Sequence, residues 1–292
     1  ELEPGLNALF GLEYKRYDSE HEEIYTKESS DRAFEEEVML SGFANAQTKP
    51  EGQGVSFDEA QETFTARYTH ETVALAFAIT EEAMEDNLYD RISSRYTKAL
   101  ARSMANAKQV KAASPLNNGL PSGTFNTGDG TTLISASHPT IAGTFSNTLA
   151  TAADLNETSL EQAMIDIAAF TDERGLKIAA KGMKMIIPSA LQFTADRLMK
   201  SPGRVGTADN DINALKNMGM IPQGYRVNHY LTDTDAFYII TDVPNGMKYF
   251  DRAPLKTAME GDFDTGNVRY KARERYSFGC SDPRGIYASP GA

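Results

Sequence analysis

The chain has 292 residues, of which 40% are hydrophobic and 24% are charged, the composition of a globular protein that can bury a core. Its net charge of −12 opposes any general attraction to nucleic acid or to an anionic membrane surface. The single cysteine, Cys280, excludes an internal disulfide and a thiolate metal cluster. The longest apolar run, Val73–Ile79, is far shorter than the roughly 20 residues that cross a bilayer.

The charge is spread unevenly along the chain. Residues 1–40 carry twelve acids against four bases, whereas residues 251–292 carry six acids against seven bases. Residues 1–33 are acidic and only weakly periodic, with Pro4 and Gly5 near their start. We therefore predict an N-terminal arm rather than a core element over this stretch.

Residues 34–79 predict an extended β-hairpin. A strand-like run at Phe34–Phe43 is followed by a polar, glycine-containing tip around Lys49, and the chain then returns in alternating residues. The bulky residues change from even to odd positions near His70, which predicts a bulge or the end of one pairing register there. An isolated hairpin is marginal in water, so we expect this one to lean on something else, which includes another molecule.

Glu81–Ala113 contains neither Gly nor Pro and predicts a helix, roughly 50 Å long at about 1.5 Å per residue. Thr80 is placed to cap it, and its acids precede its bases, as the helix dipole favours. One stripe recurs at three- and four-residue intervals: Met84, Leu88, Ile92, Tyr96, Ala99, Ser103, Ala107 and Val110. We expect its first four members to pack against the C-terminal strands. A helix this long suggests a part that spans something, and a long core helix is the alternative.

The middle of the chain predicts one compact α/β domain. Residues 112–153 hold a single charged side chain, Asp129, and predict a long irregular connection of the kind that is functional or mobile. Thr158–Glu161 has the spacing of a capping box and opens a helix. Met183–Ile187 and Ala236–Thr241 predict buried strands.

The clearest strand lies at residues 268–278, where two kinds of residue alternate. One face carries four cations: Arg269, Lys271, Arg273 and Arg275. The other face is apolar except for Glu274. A solvated face or a protein contact explains the cations better than a nucleic-acid backbone does, because no aromatic residue shares their face for base stacking.

Catalytic and metal-binding patterns are absent from the sequence. The four histidines, His21, His70, His138 and His229, are scattered, and no zincin, P-loop or nucleophile-elbow motif occurs. We therefore predict no catalytic, cofactor or metal site and no enzyme. A hydrolase that acts alone stays the more distant alternative.

The order of these parts resembles the major capsid proteins of tailed bacteriophages, the Hong Kong 97 fold. Local sequence is similar to one branch of that family in Asp129–Leu133, His138-Pro139, Phe145–Asn147, the helix start at Leu155–Glu161, Thr232–Phe237 and Arg284–Tyr287. The resemblance implies an α+β fold with an N-terminal arm, an extended β-hairpin loop, a long spine helix with a peripheral sheet, and a compact axial α/β domain. An encapsulin-type shell is the nearer alternative.

The resemblance assigns a part to each stretch of the chain. Residues 1–33 would be the N-terminal arm and residues 34–79 the extended loop. Residues 80–120 and 245–292 would form the peripheral domain with the spine helix, and residues 121–244 the axial domain. A scaffolding segment removed by proteolysis would also explain a chain that begins with Glu rather than Met.

The implied function is a structural capsid protein that assembles into pentamers and hexamers of an icosahedral shell around phage DNA. Its partners would be other copies of itself, with cement, portal and scaffolding proteins as further candidates. It would enclose DNA without sequence-specific binding, and it would bind no membrane. Assembly would take place in the host bacterial cytoplasm, which the lack of cysteine chemistry fits. Some members crosslink a loop lysine to a neighbour's asparagine, but Lys49 alone does not predict a crosslink.

We expect the subunit interfaces to use residues of the hairpin and of the closing strand: Glu35, Glu36, Glu37, Lys49, Phe57, Arg67, Arg269, Lys271, Arg273 and Arg275. The cations of the closing strand should meet acids of the arm and of the hairpin base, because like charges on one strand face repel. Those acids are Glu20, Glu22, Glu23, Glu35, Glu36 and Glu37.

Overall fold

The computed structural model describes residues 2–85, 89–204, 211–262 and 266–292, and of residues 2, 84, 85 and 89–92 it describes the backbone alone. The chain divides into two compact units, each assembled from three stretches of sequence. The first unit comprises Glu1–Glu35, Tyr68–Ala112 and Tyr249–Phe278. The second unit comprises Glu36–Arg67, Ala113–Lys248 and Gly279–Ala292.

The first unit is built on a four-stranded sheet. Its elements are α1 (Leu2–Lys15), β1 (Thr26–Ser29), β4 (Glu71–Ile79), α2 (Glu81–Glu85), α3 (Tyr89–Asn117), β10 (Met247–Gly261) and β11 (Val268–Cys280). The strand order is β1-β10-β11-β4, and β11 runs antiparallel to β4 with Val268 opposite Ile79. Buried side chains of α1, α3 and β11 form one cluster: Leu6, Phe10, Leu100, Ala101, Met104, Tyr270 and Ala272.

The N-terminal residues are not the coreless arm that the sequence predicted. Residues 2–15 form α1, and its Leu6 and Phe10 are buried among residues of α3 and β11. Asn7 on the same helix accepts hydrogen bonds from Tyr270 and Thr257. The acidic composition hid this core face, because among the described side chains of α1 it consists of Leu6 and Phe10 with the partly buried Tyr14.

The long helix was predicted with the wrong face buried. In the described part of α3 the buried side chains include Ser93, Thr97, Leu100, Ala101, Met104 and Gln109. In the predicted stripe, Tyr96 and Val110 are about half exposed, Ala99 and Ser103 are exposed, and Ala107 is partly buried. The buried face lies one residue along, a rotation of about 100°, because α1 packs against Leu100, Ala101 and Met104. Met84, Leu88 and Ile92 lie outside the residues whose side chains are described.

The boundaries of the long helix also differ from the prediction. The predicted start at Glu81 is that of α2, residues 86–88 lie outside the described part, and α3 continues past Ala113 through Pro115 to Asn117. Proline lacks the N–H that would bond one turn back, so the helix loses a single hydrogen bond there. The Asn118 N–H still bonds to the Ser114 carbonyl at 2.9 Å.

The second unit contains its own four-stranded sheet of order β12-β9-β7-β8. Its elements are β5 (His138–Thr140), β6 (Gly143–Phe145), α4 (Glu157–Ala168), β7 (Gly182–Ile187), α5 (Gln192–Lys200), α6 (Ala214–Met218), β8 (Tyr225–Val227), β9 (Phe237–Thr241) and β12 (Ile286–Ser289). In this sheet β7 is parallel to β8 and antiparallel to β9, and β12 is antiparallel to β9. The core includes Leu160, Ile167, Ile187, Phe237 and Tyr287.

Two local predictions in the second unit need correction. The helix α4 is capped by Asn156, whose side chain accepts from the Ser159 N–H while the Ser159 hydroxyl accepts from the Asn156 N–H. The predicted box at Thr158–Glu161 is therefore two residues late. The connection at 112–153 is also more ordered than expected, because β5 and β6 pair within it and Leu133 is fully buried.

The predicted hairpin is split between two sheets. Strand β2 (Phe34–Leu40) pairs with β3 (Glu62–Thr69), whereas β4 pairs with β11. The predicted end of one register near His70 is confirmed, since this residue alone separates β3 from β4. Its ring is buried and lies 3.0 Å from the Ser277 hydroxyl and 2.9 Å from the Ser30 hydroxyl.

Candidate assembly surfaces

The loop between β2 and β3, residues 43–62 (the extended loop), is exposed along its whole length. It carries large apolar side chains that nothing in the described part of the chain covers, and Phe57 is 94% exposed. Phe43 and Val55 are exposed by more than half. Large exposed apolar side chains are a feature of surfaces that contact other molecules.

A few polar contacts shape the extended loop without giving it a core. The Asp58 carboxylate accepts hydrogen bonds from the Ala44 N–H, at 2.7 Å, and the Glu59 N–H, at 3.0 Å. These two backbone bonds lower the pKa of Asp58. The Arg174 guanidinium donates to the Glu59 carbonyl at 2.9 Å. The loop is therefore held by hydrogen bonds at Ala44, Asp58 and Glu59. Its tip around Lys49 and Phe57 is exposed.

The cationic face predicted on β11 is present in the structure. Arg269, Lys271 and Arg273 are exposed and Arg275 is half-buried, while the residues between them point into the first unit. Their antiparallel partners on β4 carry no charge: Ala78, Ala76, Ala74 and Thr72. Arg269 has an ion pair with Asp262 at 2.5 Å. These cations therefore face no carboxylate on β4 that could neutralise them.

The acids at the base of the hairpin bind partners other than the cationic face. Glu35 accepts from the Ser30 hydroxyl at 2.6 Å. Glu36 lies 3.8 Å from Arg67, with both side chains about half exposed. Glu37 lies 2.5 Å from the buried Lys248 and also accepts from a serine hydroxyl. Glu36 is therefore the member of this set best placed to reach a second molecule.

Glu274, the exception on the apolar face of β11, is buried next to a cation. The Lys108 ammonium of α3 lies 3.3 Å from its carboxylate, and the Tyr14 hydroxyl donates at 3.4 Å. Burial raises the pKa of Glu274, and Lys108 opposes that rise. The sequence marked Glu274 as out of pattern but gave no sign that Lys108 would face it.

Four of the sequence segments that carry the resemblance meet in a buried polar network of the second unit. The His138 ring lies 2.6 Å from the Asp129 carboxylate and 3.2 Å from the Asn147 side-chain oxygen. The Asn147 amide donates to the Pro283 carbonyl, 3.1 Å away, and to the Ile286 carbonyl, 3.3 Å away. Periodicity did not predict this network, since its members come from loops and short strands.

Arg284 adds a second charged cluster to the same network. Its guanidinium donates to Glu173 at 2.8 Å and to the Thr171 carbonyl at 2.7 Å. The guanidinium also lies 4.4 Å from the centre of the Phe145 ring. The His138 ring stacks on Phe145, with ring centres 4.8 Å apart. The network anchors the C-terminal strand β12.

Two features are absent from the part of the chain that the structure describes: a metal site and a membrane-spanning helix. No group of three or more His, Cys, Asp or Glu side chains could hold a metal ion within those ranges. No described helix is long and apolar enough to cross a membrane.

The fold is that of tailed-phage capsid proteins, an α+β fold of the Hong Kong 97 type. The capsid of Myoviridae phage XM1 aligns with a TM-score of 0.57 at 11% identity, covering 92% of this chain and 89% of that one. The capsid of an empty GTA particle aligns with a TM-score of 0.60 at 15% identity, over 94% and 91%. A virus-like particle from Pyrococcus furiosus aligns with a TM-score of 0.55 at 11% identity, over 98% of both chains.

The sequence profile of the phage capsid protein family matches residues 62–289, and the chain belongs to that family. A search among curated proteins finds no sequence match. The protein is a structural major capsid protein, a component of the virion that forms shells of many copies. The encapsulin-type alternative is not favoured, because the matching family is that of phage capsids.

Proposed function

We propose that this chain forms the pentamers and hexamers of a closed icosahedral shell that encloses phage DNA, and that its extended loop makes the contact between neighbouring copies. The observation that carries the proposal is the exposure of Phe57, which is 94% exposed at the tip of a loop without a core. Covering such a side chain contributes about 1.5–3 kcal/mol. A contact repeated in every subunit of a shell multiplies that contribution.

Charge suggests which surface the extended loop meets. The loop carries four acids and one base: Glu51, Asp58, Glu59, Glu62 and Lys49. The exposed face of β11 carries the cations Lys271 and Arg273, beyond the Arg269–Asp262 pair. We infer that the loop of one copy lies on the cationic face of the next. Glu36 and Arg67 at the hairpin base are the remaining interface candidates, whereas Glu35 and Glu37 serve mainly within their own subunit.

The four-part organisation stays a proposal, in amended form. Residues 34–79 contain the extended loop, and 121–244 the axial domain. Residues 80–120 with most of 245–292 form the peripheral domain. We move 279–292 to the axial domain because β12 pairs with β9. The arm at 1–33 includes the core-forming helix α1.

The remaining partners follow from the proposed role. A net charge of −12 suits a wall that must not hold the DNA that it encloses, so DNA would be a cargo without sequence-specific contacts. Cement, portal and scaffolding proteins would bind the assembled shell, and no cofactor or membrane would take part. Assembly in the host bacterial cytoplasm is compatible with a sole cysteine, Cys280, that is buried as a free thiol.

Deletion of residues 47–57 tests the proposal. The shortened chain should unfold at the same temperature as the parent, because the deleted residues have no core, but it should form no closed particles in negative-stain images. A full-length variant with Val55→Ser and Phe57→Ser separates side-chain contacts from loop length. Lys49→Ala is the control and should assemble normally, since no crosslink is predicted. Normal shells from the deletion variant, or an unfolded second unit, would contradict the proposal.

A further inference from the structure

The strand β4 forms one edge of the sheet in the first unit, and its outer side is unpaired. In the part of the chain that the structure describes, β11 is the one strand that pairs with β4. Every second residue of an edge strand directs its N–H and C=O away from the sheet. Within the same described part, no backbone hydrogen bond joins residues 72–79 to an element other than β11. A row of backbone donors and acceptors is therefore open to a further strand.

β4 also lacks the features that protect an edge from pairing. It is nine residues long, and from Thr72 to Ile79 it contains neither a charged residue nor a proline. By contrast, the edge strand β1 has four residues, with Lys27 and Glu28 among them, and the edge strand β8 has three, with Arg226 at its centre. Short length and charged side chains keep natural sheet edges from pairing. The long uncharged edge of β4 therefore favours pairing with another chain.

The two faces of the sheet beside this edge differ in chemistry. On the face towards α3, Leu75 is 47% exposed and Tyr96 is 48% exposed. The Tyr96 ring lies 5.7 Å from the ring of Phe77, which shares the face of Leu75 because side chains two residues apart lie on one side of a strand. On the other face, the exposed cations Lys271 and Arg273 of β11 face no carboxylate on β4. A strand that fits this edge must be apolar on one face and polar or acidic on the other.

The extended loop contains a segment with this alternation, residues 54–58 (the docking segment). Its apolar members Val55 and Phe57 are 64% and 94% exposed. In an extended conformation these two share one face, and Ser56 and Asp58 share the other. Within the described part of the chain, the backbone of residues 55–57 makes no hydrogen bond. The docking segment thus has free backbone groups and the two faces that the edge of β4 requires.

We propose that the docking segment of a second copy adds to the free edge of β4 as a fifth strand of the sheet in the first unit. The apolar face of the segment covers Leu75 and Tyr96, and Asp58 on its other face approaches the cations of β11. Main-chain hydrogen bonds supply the affinity of such a strand addition, and alternate side chains select the partner. This pairing rests on the proposed function, in which the loop contacts a neighbouring copy, and it names the strand that the loop meets.

Disulfide trapping between two differently substituted copies tests the strand addition. One copy carries Ser56→Cys, and the other carries Ala74→Cys, Ala76→Cys or Ala78→Cys, which lie on the cationic face of β4. Paired residues of neighbouring antiparallel strands have Cα atoms about 4.5–5.5 Å apart, a separation that a disulfide spans. After oxidation of mixed shells, at least one of the three pairs should give crosslinked dimers on a non-reducing gel. Leu75→Cys, on the opposite face, is the matched control and should not crosslink to Ser56→Cys.

Hydrogen exchange measured by mass spectrometry gives a second readout on the unsubstituted chain. About half of the β4 amides face the free edge, and an added strand of this length would bond about two of them. These amides should exchange at least about tenfold more slowly in shells than in the free subunit. The part of β10 that lies between β1 and β11 already has a strand on both sides and should exchange equally in both states.

The outcomes separate the strand addition from the proposed function. Shells that form without a crosslink at any of the three alanine positions, or without slower exchange in β4, would overturn the strand addition and leave the proposed function standing. Equal crosslinking at Leu75→Cys and at the alanine positions would overturn it as well. Normal shells after deletion of residues 47–57 would contradict both.

Discussion

The extended loop and the buried network of the second unit are opposites: the loop exposes apolar side chains, whereas the network buries polar ones. The loop exposes Phe57 and Val55 to solvent and is held by a few backbone bonds. The network hides His138 and Asn147 completely and gives each of them at least two partners. The network therefore completes itself within one chain, whereas the loop needs a second copy to cover it. Folding and assembly rest on different residues.

The sharpest way to break this comparison is to exchange an asparagine for alanine in each region. Asn147→Ala leaves three buried carbonyls and a backbone N–H without their partner, so we expect the second unit to lose roughly 3 kcal/mol or more of unfolding free energy. Asn45→Ala in the exposed loop should change stability by less than about 0.5 kcal/mol. Urea unfolding of both variants gives the comparison. Equal losses would show that the two regions do not differ as described.

Acid should weaken the network. The pKa of Asp129 is lowered to about 2 from 3.8, so the stability it contributes is present above pH 4 and is lost as pH falls towards 2. A shift of this size corresponds to roughly 2–3 kcal/mol. Asp129→Asn should remove that part of the acid dependence in unfolding measured from pH 5 to pH 2. If the variant loses as much stability between pH 5 and pH 2 as the parent, carboxylates other than Asp129 cause the loss.

Removing the apolar side chain of the loop should affect assembly alone. Phe57→Ser removes a side chain whose burial at a subunit contact would contribute about 1.5–3 kcal/mol. The concentration of subunits needed for assembly should therefore rise by roughly tenfold or more. The unfolding midpoint of the free subunit should not move. Light scattering over a dilution series measures the first quantity, and circular dichroism the second. A lowered midpoint would mean that Phe57 is covered within its own chain.

Charge reversal on β11 should have the smallest effect for each contact. Lys271→Glu with Arg273→Glu removes exposed pairs worth about 0.2–1 kcal/mol each, so assembly should weaken and become less sensitive to salt. Glu51→Lys with Glu59→Lys should restore it if the loop is the partner, and Glu36→Lys if the hairpin base is. No effect of the reversal would place the cationic face outside the interface. Loss of packaged DNA alone, with normal shells, would support contact with DNA instead.

The sequence predicted most where one periodic pattern decided burial. The alternation along β11 and the break at His70 were both correct because a period of two assigns each side chain to a face. The prediction of the buried face of α3 was wrong by one residue. The sequence does not distinguish a buried small residue such as Ala101 from an exposed one such as Ala99, and only the packing of α1 does. The His138 network was missed because its partners are up to 139 residues apart.

That separation has a consequence for the order of events during synthesis. Asn147 binds carbonyls 136 and 139 residues further along the chain, and β12 is made after the other strands of its sheet. The second unit therefore stays incomplete on the ribosome until residues 283–289 have been made. Contacts between residues so distant in sequence also form slowly. A nascent chain whose loop has already been made would thus still lack a finished second unit.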